Sequence, residues 1–151
     1  MVIYILGNFP AAVTRLIYLK ELWLNHNDII GDIPANIDSL LYLNELNLSN
    51  NAIHGNVPDS ICNLTNLTAL DLGENNIDGI IPINIGKLTN LFFIRFDHNH
   101  IHGDIPKSFG NLSNIQVLRL DNNRLSGSIP EELGCCRALV FLDISENNLN
   151  G

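Results

Sequence analysis

A 24-residue period runs through nearly the whole chain of 151 residues and sets narrow limits on its fold. Proline, glycine and asparagine each recur at this spacing. The recurring residues are Pro10, Pro34, Pro58, Pro82, Pro106 and Pro130; Gly7, Gly31, Gly55, Gly79, Gly103, Gly127 and Gly151; and Asn27, Asn51, Asn75, Asn99, Asn123 and Asn147. A period of this length is typical of stacked supersecondary units, each of which buries its apolar face against the next.

Apolar residues recur in each unit at positions that fit a short strand. The three clearest columns are Leu19, Leu43, Leu67, Leu91, Ile115 and Leu139; Leu22, Leu46, Leu70, Ile94, Leu118 and Leu142; and Leu24, Leu48, Leu72, Phe96, Leu120 and Ile144. The second and third columns are two residues apart, which predicts alternate side chains turned inward. Because stacked strands lie about 4.8 Å apart, they should form one parallel sheet.

The polar and turn-forming columns have separate structural roles. Each recurring asparagine follows a strand, where its amide can satisfy backbone groups of its own turn and of the adjacent coil. We interpret these residues as a structural asparagine ladder. Each glycine permits a backbone geometry that a side chain would obstruct, and each proline fixes φ and limits helix formation. The return segments should therefore be short, and either extended or 3₁₀.

The motif LxGxIP carries a resemblance to a known family. It occurs as IIGDIP, IHGNVP, IDGIIP, IHGDIP and LSGSIP. This motif resembles that of the plant-specific subclass of leucine-rich repeats, and the match covers nearly the whole chain. The resemblance implies a right-handed leucine-rich-repeat solenoid of the α/β repeat class, with a parallel concave β-sheet and a convex side of short extended and 3₁₀ segments. Proteins with this motif include the extracellular domains of receptor-like kinases and receptor-like proteins, and polygalacturonase-inhibiting proteins.

We expect a single array over residues 1–151 that begins and ends within a repeat. Ile5, Gly7 and Pro10 lie one period before their counterparts in the next unit. The apolar start of the chain is therefore interpreted as part of the array and not as a signal peptide. The cysteine-bearing caps typical of the family are not recognised, which favours a fragment of a longer protein.

The acidic charge balance restricts the partners. The formal net charge is -8, whereas nucleic acids and anionic membrane surfaces usually require a basic face. No apolar run is long enough to span a membrane, so no membrane insertion by this segment is expected. A protein or peptide ligand, in particular a cationic one, fits the charge better. No cofactor is expected.

The cysteines are not predicted to form a zinc site or a disulfide framework. Cys62 and Cys136 fall in columns that should be buried, and only Cys135 should be exposed. The four Asn-x-Ser/Thr sequons, at Asn47, Asn63, Asn66 and Asn111, are possible N-glycosylation sites. With the family resemblance, they predict an extracellular or cell-surface location. A glycan on Asn47 would lie on the concave face and block its N-terminal strands.

The outward strand positions predict a binding surface on the concave face. In the C-terminal half, aromatic and aliphatic residues lie beside two arginines, a combination typical of binding hot spots. Acidic residues dominate the rest of the face, which should attract a basic ligand. The candidate ligand-binding residues are Phe92, Phe93, Arg95, Asp97, Val117, Arg119, Asp121, Phe141, Asp143, Trp23, Asp71 and Glu74.

Alternative explanations of these residues stay open at this stage. The charges could pair across strands, and the phenylalanines could pack against neighbouring coils. Trp23 could be a ligand anchor or could cover the edge of the array. Some members of the family hold a peptide's terminal carboxylate with two arginines of one strand, whereas Arg95 and Arg119 fall on adjacent strands.

Catalytic and metal sites are not expected. Among His98, His100 and His102, only the first should lie on the strand face, so no metal site is predicted. We expect Asp97 and Asp121 to be well solvated, with ordinary pKa values. No phosphate-binding glycine loop, nucleophile elbow or kinase signature occurs in the sequence.

The leading hypothesis is a non-catalytic protein- or peptide-binding module, namely the ligand-recognition repeats of a plant-type cell-surface receptor that can also contact a co-receptor. One alternative is an inhibitor that binds a secreted cell-wall-degrading hydrolase such as a polygalacturonase. Another is a structural fragment that assembles through its open ends. Ice binding is disfavoured, because it needs a flat, regular and weakly charged array.

Overall fold

The computed structural model describes residues 6–150 and confirms the predicted solenoid. Ile5 and Gly151, the outermost residues of the predicted repeat pattern, lie outside the described residues. In chain order the strands are β1 (Leu6–Asn8), β2 (Glu21–Trp23), β3 (Asp28–Gly31), β4 (Glu45–Asn47), β5 (Ala52–Gly55), β6 (Ala69–Asp71), β7 (Asn76–Ile77), β8 (Phe93–Arg95), β9 (His102–Asp104), β10 (Val117–Arg119), β11 (Arg124–Ser126) and β12 (Phe141–Asp143).

The concave surface is a parallel sheet to which each described coil from β2 onward adds one strand. The order across the sheet is β12-β10-β8-β6-β4-β2. Equivalent residues of successive coils lie directly opposite each other, as Leu22 does to Leu46 and Leu118 to Leu142. The 24-residue period therefore sets the register of the sheet. Strand residues that are 24 positions apart in the sequence are neighbours on adjacent strands and form one row across the sheet.

The hydrophobic core lies behind this sheet and is formed by the predicted leucine columns. The central strand residues Leu46, Leu70, Ile94 and Leu118 are almost completely buried. Phe96 replaces leucine in its column and is fully buried. Burial decreases towards the C-terminal edge of the described array, where β12 pairs on one side only.

The return segments are short and mostly 3₁₀, as predicted. Within residues 6–150 the helices are Ala11–Arg15, Ile37–Ser39, Asp59–Asn63, Ile85–Lys87, Lys107–Asn111 and Glu131–Cys135, and all of them are 3₁₀. Several begin directly after a proline of the periodic series, such as Pro58 and Pro106. None of these helices is long and apolar enough to cross a membrane.

The extended segments after the asparagine ladder also pair with each other, which the sequence analysis did not predict. They form a second parallel sheet in the order β1-β3-β5-β7, and β9 pairs with β11. Two physical reasons account for the glycine column here. Gly55 adopts a φ of 72°, which favours glycine. At Gly79 an added Cβ would lie only 2.1 Å from Oδ1 of Asn56.

The cysteines are located as predicted. Cys62 and Cys136 are buried and Cys135 is exposed, and all three are free thiols. Burial raises the pKa of the Cys62 thiol to about 11. The thiol of Cys136 donates a hydrogen bond to the carbonyl oxygen of Phe109 at 3.2 Å. Cys62 and Cys136 therefore behave as small core residues.

Candidate ligand-binding surface

The asparagine ladder fixes the carboxyl ends of the concave strands. Oδ1 of Asn99 accepts a hydrogen bond from the backbone N–H of Ile77 at 2.9 Å. Its Nδ2 donates to the carbonyl oxygens of Leu72, Phe96 and Asp97. Asn51, Asn75, Asn123 and Asn147 make the same pattern of bonds to their own turn and the preceding coil. The predicted ladder is thus present.

A column of left-handed residues directly precedes the ladder and was not predicted. Its members are His26, Asn50, Glu74, His98, Asn122 and Glu146, with φ between 51° and 55°. This conformation is uncommon for residues other than glycine. It turns the chain out of the strand and positions Glu74 and His98 beside the charged residues of the concave face. The sequence signal for this conformation was the position itself, which recurs directly before each asparagine of the ladder.

The predicted apolar residues come together on adjacent strands. Phe93, Val117 and Phe141 lie in one row of the register, and Phe92 and Val140 immediately precede β8 and β12. We call these five residues the apolar patch. The exposed fractions of Phe92 and Phe141 are 42% and 47%. A water-exposed surface therefore carries a contiguous group of large apolar side chains.

The arginines of the next row belong to a charged network, which consists of Asp71, Glu74, Arg95, Asp97, His98, Arg119 and Asp121. Arg95 is its centre. Nε of Arg95 donates to Oδ1 of Asp97 at 2.7 Å, and Nη2 donates to Oδ2 of Asp97 at 3.2 Å and to Oε1 of Glu74. Nη1 lies 3.8 Å from Oδ2 of Asp71. The cross-strand pairing considered from the sequence is present for Arg95, together with pairing inside its own coil.

Arg119 is held more loosely in the same network. Its Nε lies 3.4 Å from Oδ1 of Asp121, and its Nη2 lies 3.6 Å from Oδ2 of Asp97. Its side chain is 33% exposed, against 19% for that of Arg95. Arg119 is therefore the arginine with more contact to solvent.

The expectation that Asp97 and Asp121 are well solvated is wrong. Their exposed fractions are 0% and 3%. Asp97 follows the buried Phe96 and lies on the same face as Arg95, and the guanidinium groups of Arg95 and Arg119 contact its two carboxylate oxygens. The carboxylate then lies beneath Arg95 instead of pointing into the solvent.

Burial and ion pairing also shift the pKa of Asp97, which was expected to be ordinary. Burial alone would raise the pKa of Asp97, but hydrogen bonds from Arg95 and His98 and the charges of both arginines outweigh it and lower the pKa. At Asp71 burial dominates and raises the pKa. The hydrogen bond from Arg95 lowers the pKa of Glu74. Asp97 therefore stays ionised in the folded chain as the counter-ion of Arg95.

Gly73 makes room for this network, a role that was not predicted from the sequence. A Cβ at this position would lie 2.8 Å from Oδ1 of Asp97 and 3.0 Å from Nε of Arg95. Equivalent positions one period away carry Ser49 and Asp97. The sequence signal was a glycine outside the periodic glycine series, two residues after the end of β6 and one coil before Arg95.

One group of potential metal ligands lies in the network. Ligand atoms of Asp97, His98 and Asp121 are within 4.8 Å of one another. Nδ1 of His98 is 3.0 Å from Oδ2 of Asp97 and 3.9 Å from Oδ2 of Asp121. The guanidinium groups of Arg95 and Arg119 already contact these carboxylates and would repel a cation. We interpret the group as an ion-pair network.

The remaining predicted site residues, Trp23 and Asp143, lie towards opposite ends of the face. Asp143 accepts hydrogen bonds from the backbone N–H and the hydroxyl of Ser145 in its own coil, which lower its pKa. Trp23 is 62% exposed and lies on β2, three strands away from β8 in the concave sheet. It lines a shallow hollow together with Glu45, Asp71 and Phe93. The structure therefore divides the predicted residues into a C-terminal and an N-terminal group.

Comparison with known proteins identifies close structural matches. The sequence model of a family described as leucine-rich repeat region matches residues 13–150. No curated protein sequence matches the chain. The ectodomain of the receptor kinase GASSHO1/SCHENGEN3 from Arabidopsis thaliana, solved in complex with CASPARIAN STRIP INTEGRITY FACTOR 2, is 34% identical with a TM-score of 0.94, and the match covers 97% of this chain and 18% of that chain.

Two further solved structures have the same fold. The Arabidopsis receptor kinase HAESA, in complex with the peptide hormone IDA and the co-receptor SERK1, is 33% identical with a TM-score of 0.94; the match covers 97% of this chain and 24% of that chain. A plant ice-binding protein is 31% identical with a TM-score of 0.85, covering 95% of this chain and 54% of that chain. The chain spans less than two thirds of the length of each of these structures.

Proposed function

We propose, on the premise that the chain belongs to the plant-type leucine-rich repeat family, that its concave sheet is a non-catalytic recognition surface for a peptide. The similar ectodomain of HAESA was solved with a peptide hormone, and that of GASSHO1/SCHENGEN3 was solved with CASPARIAN STRIP INTEGRITY FACTOR 2. By this proposal the chain supplies ligand-recognition repeats of a plant-type cell-surface receptor. Its location is then extracellular, and a co-receptor is a second class of partner, as in the HAESA complex.

The apolar patch is the observation that carries the proposal. Phe93, Val117 and Phe141 lie in one row of a sheet whose other face is the core. Exposed aromatic side chains of this kind contribute most of the binding free energy at protein interfaces. An extended peptide that crosses strands β8, β10 and β12 would cover this row and remove its apolar surface from water.

The charged network would help to orient the ligand. The guanidinium of Arg95 already has Asp97 and Glu74 as partners, so a ligand anion would have to compete with two carboxylates. Arg119 has longer contacts and more exposure. We therefore assign Arg119 to an anionic or carbonyl group of the ligand, and Arg95 to the support of the surface.

Ice binding, the activity named for one of the structural matches, is not favoured for this chain. Along one row of the concave face the residues are Trp23, Asn47, Asp71, Arg95, Arg119 and Asp143. A single row thus mixes aromatic, polar, acidic and cationic side chains. It is not a flat, regular and weakly charged array.

The proposal predicts that replacing Phe141 with alanine weakens peptide binding by at least about 10-fold, which corresponds to about 1.4 kcal/mol. The probes are 12-residue peptides selected from a random phage-displayed library on the immobilised chain. Their dissociation constants are measured by fluorescence polarisation for the original chain and the variant. Phe141 is on the edge strand and half exposed, so we expect circular dichroism to show an unchanged fold.

The matched control is Ile83→Ala, which removes an even more exposed apolar side chain from the opposite side of the array. This variant should bind the selected peptides as the original chain does. Equal weakening by Ile83→Ala and Phe141→Ala would contradict a concave binding site. Failure of the library to yield any binding peptide would contradict the proposed function itself.

The extracellular location leads to a prediction about the sequons. Asn111 is exposed at the end of a 3₁₀ helix, and its side chain has no hydrogen-bond partner among residues 6–150. Asn47 lies within β4, where its Oδ1 accepts hydrogen bonds from the backbone N–H and hydroxyl of Ser49. When the chain is secreted from plant cells, glycan occupancy measured by mass spectrometry should be higher at Asn111 than at Asn47. The reverse order would show that local exposure does not govern modification here.

A further inference from the structure

A hollow with a distinct chemistry lies at the N-terminal end of the concave face. Its lining includes Trp23, Glu45, Asn47, Ala69, Asp71 and Phe93, and its volume is about 280 Å³. Glu45, Ala69 and Phe93 occupy one row of the sheet on adjacent strands. Because Ala69 has a short side chain between two long ones, the surface is indented at β6. Trp23 projects from β2 and bounds the hollow on its other side.

The walls of the hollow combine aromatic rings with carboxylates. Trp23 and Phe93 offer ring faces and edges, and Glu45 and Asp71 each carry a negative charge. An aromatic ring next to a carboxylate is the environment in which guanidinium and ammonium groups bind best, through cation–π attraction and ion pairing. A neutral or anionic side chain would gain much less from these walls.

The two carboxylates of the hollow have few counter-ions within the described chain. The side-chain carboxylate of Glu45 makes no hydrogen bond or ion pair with any residue of 6–150. Asp71 accepts a hydrogen bond from the backbone N–H of Gly73 at 3.1 Å. Nη1 of Arg95 lies 3.8 Å from Oδ2 of Asp71, but Arg95 directs its hydrogen bonds to Asp97 and Glu74. Asp71 is mostly buried, so its charge has lost part of its hydration, and its ion pair with Arg95 is long and shared with two other carboxylates.

We propose that this hollow binds a cationic side chain, an arginine or lysine of the recognised peptide, between Trp23 and the carboxylates of Glu45 and Asp71. The inference rests on the proposed function, since it assigns one residue class of a peptide that lies on the concave face. The apolar patch and the hollow share Phe93, which lines both. A single extended ligand can therefore place apolar residues on the patch and its basic residue in the hollow.

The burial of Asp71 gives the hollow a dependence on pH. Burial raises the pKa of this carboxyl above its usual range. Because only the ionised form attracts a cation, binding of the basic side chain should weaken as the pH falls through the raised pKa. The same titration should leave contacts at the apolar patch unchanged.

The test uses the fluorescence of Trp23, which is the only tryptophan in the chain. N-acetyl-arginine amide is titrated into the full chain, and N-acetyl-citrulline amide serves as the uncharged isostere. We expect a saturable change in fluorescence with the arginine probe, and at least about a 10-fold weaker response with the citrulline probe, in line with the loss of one charge-assisted contact. Equal responses to the two probes would overturn the proposal.

Variants separate this proposal from the proposed function. Glu45→Gln should weaken binding of the arginine probe about 5-fold or more, whereas Glu131→Gln, an exposed glutamate on the convex side, should have no effect. Phe141→Ala should also have no effect on this probe. An unchanged affinity in Glu45→Gln would overturn the cation site even if library peptides bind. Conversely, arginine binding without any peptide binding would leave the hollow intact and contradict the proposed function.

Discussion

Replacing Asn99 with alanine should lower the free energy of unfolding by about 3–4 kcal/mol, a large effect for one polar side chain. The amide is buried and makes one accepted and three donated hydrogen bonds, to Ile77, Leu72, Phe96 and Asp97. Its removal leaves the backbone N–H of Ile77 without its side-chain partner and takes one donor from each of the three carbonyl groups, which keep a second donor. A buried N–H without a partner costs about 1–3 kcal/mol, and each further hydrogen bond that is lost costs about 0.5–1.5 kcal/mol. Urea unfolding followed by circular dichroism measures the loss.

Asn84→Ala is the matched control for this prediction. Asn84 is an exposed asparagine before a 3₁₀ helix, and its side chain makes no capping hydrogen bond. Surface substitutions of this kind usually change stability by no more than about 0.5 kcal/mol. If Asn84→Ala and Asn99→Ala had the same unfolding midpoint, the ladder would contribute nothing beyond any other asparagine.

The ladder also illustrates what the sequence can predict in this fold. Each coil contacts mainly its neighbours, so a residue type needed at one position is needed again 24 residues later. Periodicity therefore reveals the strand columns, the ladder and the turn residues together. Outward residues such as Phe93 and Val117 could also be placed correctly, because they lie inside a strand where alternation holds.

The sequence could not predict which long side chains cover their neighbours on the concave face. Asp97 and Asp121 were expected on a solvated surface, but Arg95 and Arg119 contact their carboxylates, which are almost without exposure. The pairing of extended segments into a second sheet was missed for a different reason. Backbone pairing after a turn depends on the turn's exact path, and glycine and asparagine columns alone do not specify that path.

The second large effect concerns the ion pair of Arg95 and Asp97. Arg95→Met should lower the free energy of unfolding by about 3 kcal/mol at neutral pH, because it leaves the fully buried carboxylate of Asp97 without its main counter-ion. Thermal or urea unfolding measures the change. Arg124→Met is the matched control, since Arg124 is exposed and makes no ion pair within the described residues. It should change stability by no more than about 0.5 kcal/mol.

The effect of Arg95→Met should depend on pH. The pKa of Asp97 is lowered in the folded chain relative to about 3.9 in the unfolded chain. Such a carboxyl adds stability above its unfolded pKa, and that stability is lost as the pH falls through the folded pKa. The difference between the original chain and the variant should therefore be full at pH 7 and shrink at pH values below about 4. The pKa of Asp71 is raised in the folded chain, so the contribution of this carboxyl to stability decreases as the pH rises.

A double variant distinguishes an ion pair from independent packing contributions. If Arg95 and Asp97 stabilise the fold through each other, Arg95→Met combined with Asp97→Leu removes both charges and should cost at least about 1 kcal/mol less than the sum of the two single changes. Additive losses would mean that each side chain acts through other partners, such as Glu74 for Arg95 or His98 for Asp97. Non-additive losses would identify the pair as the rigid support beneath Arg119. Such support holds the recognition surface in one geometry before the ligand binds.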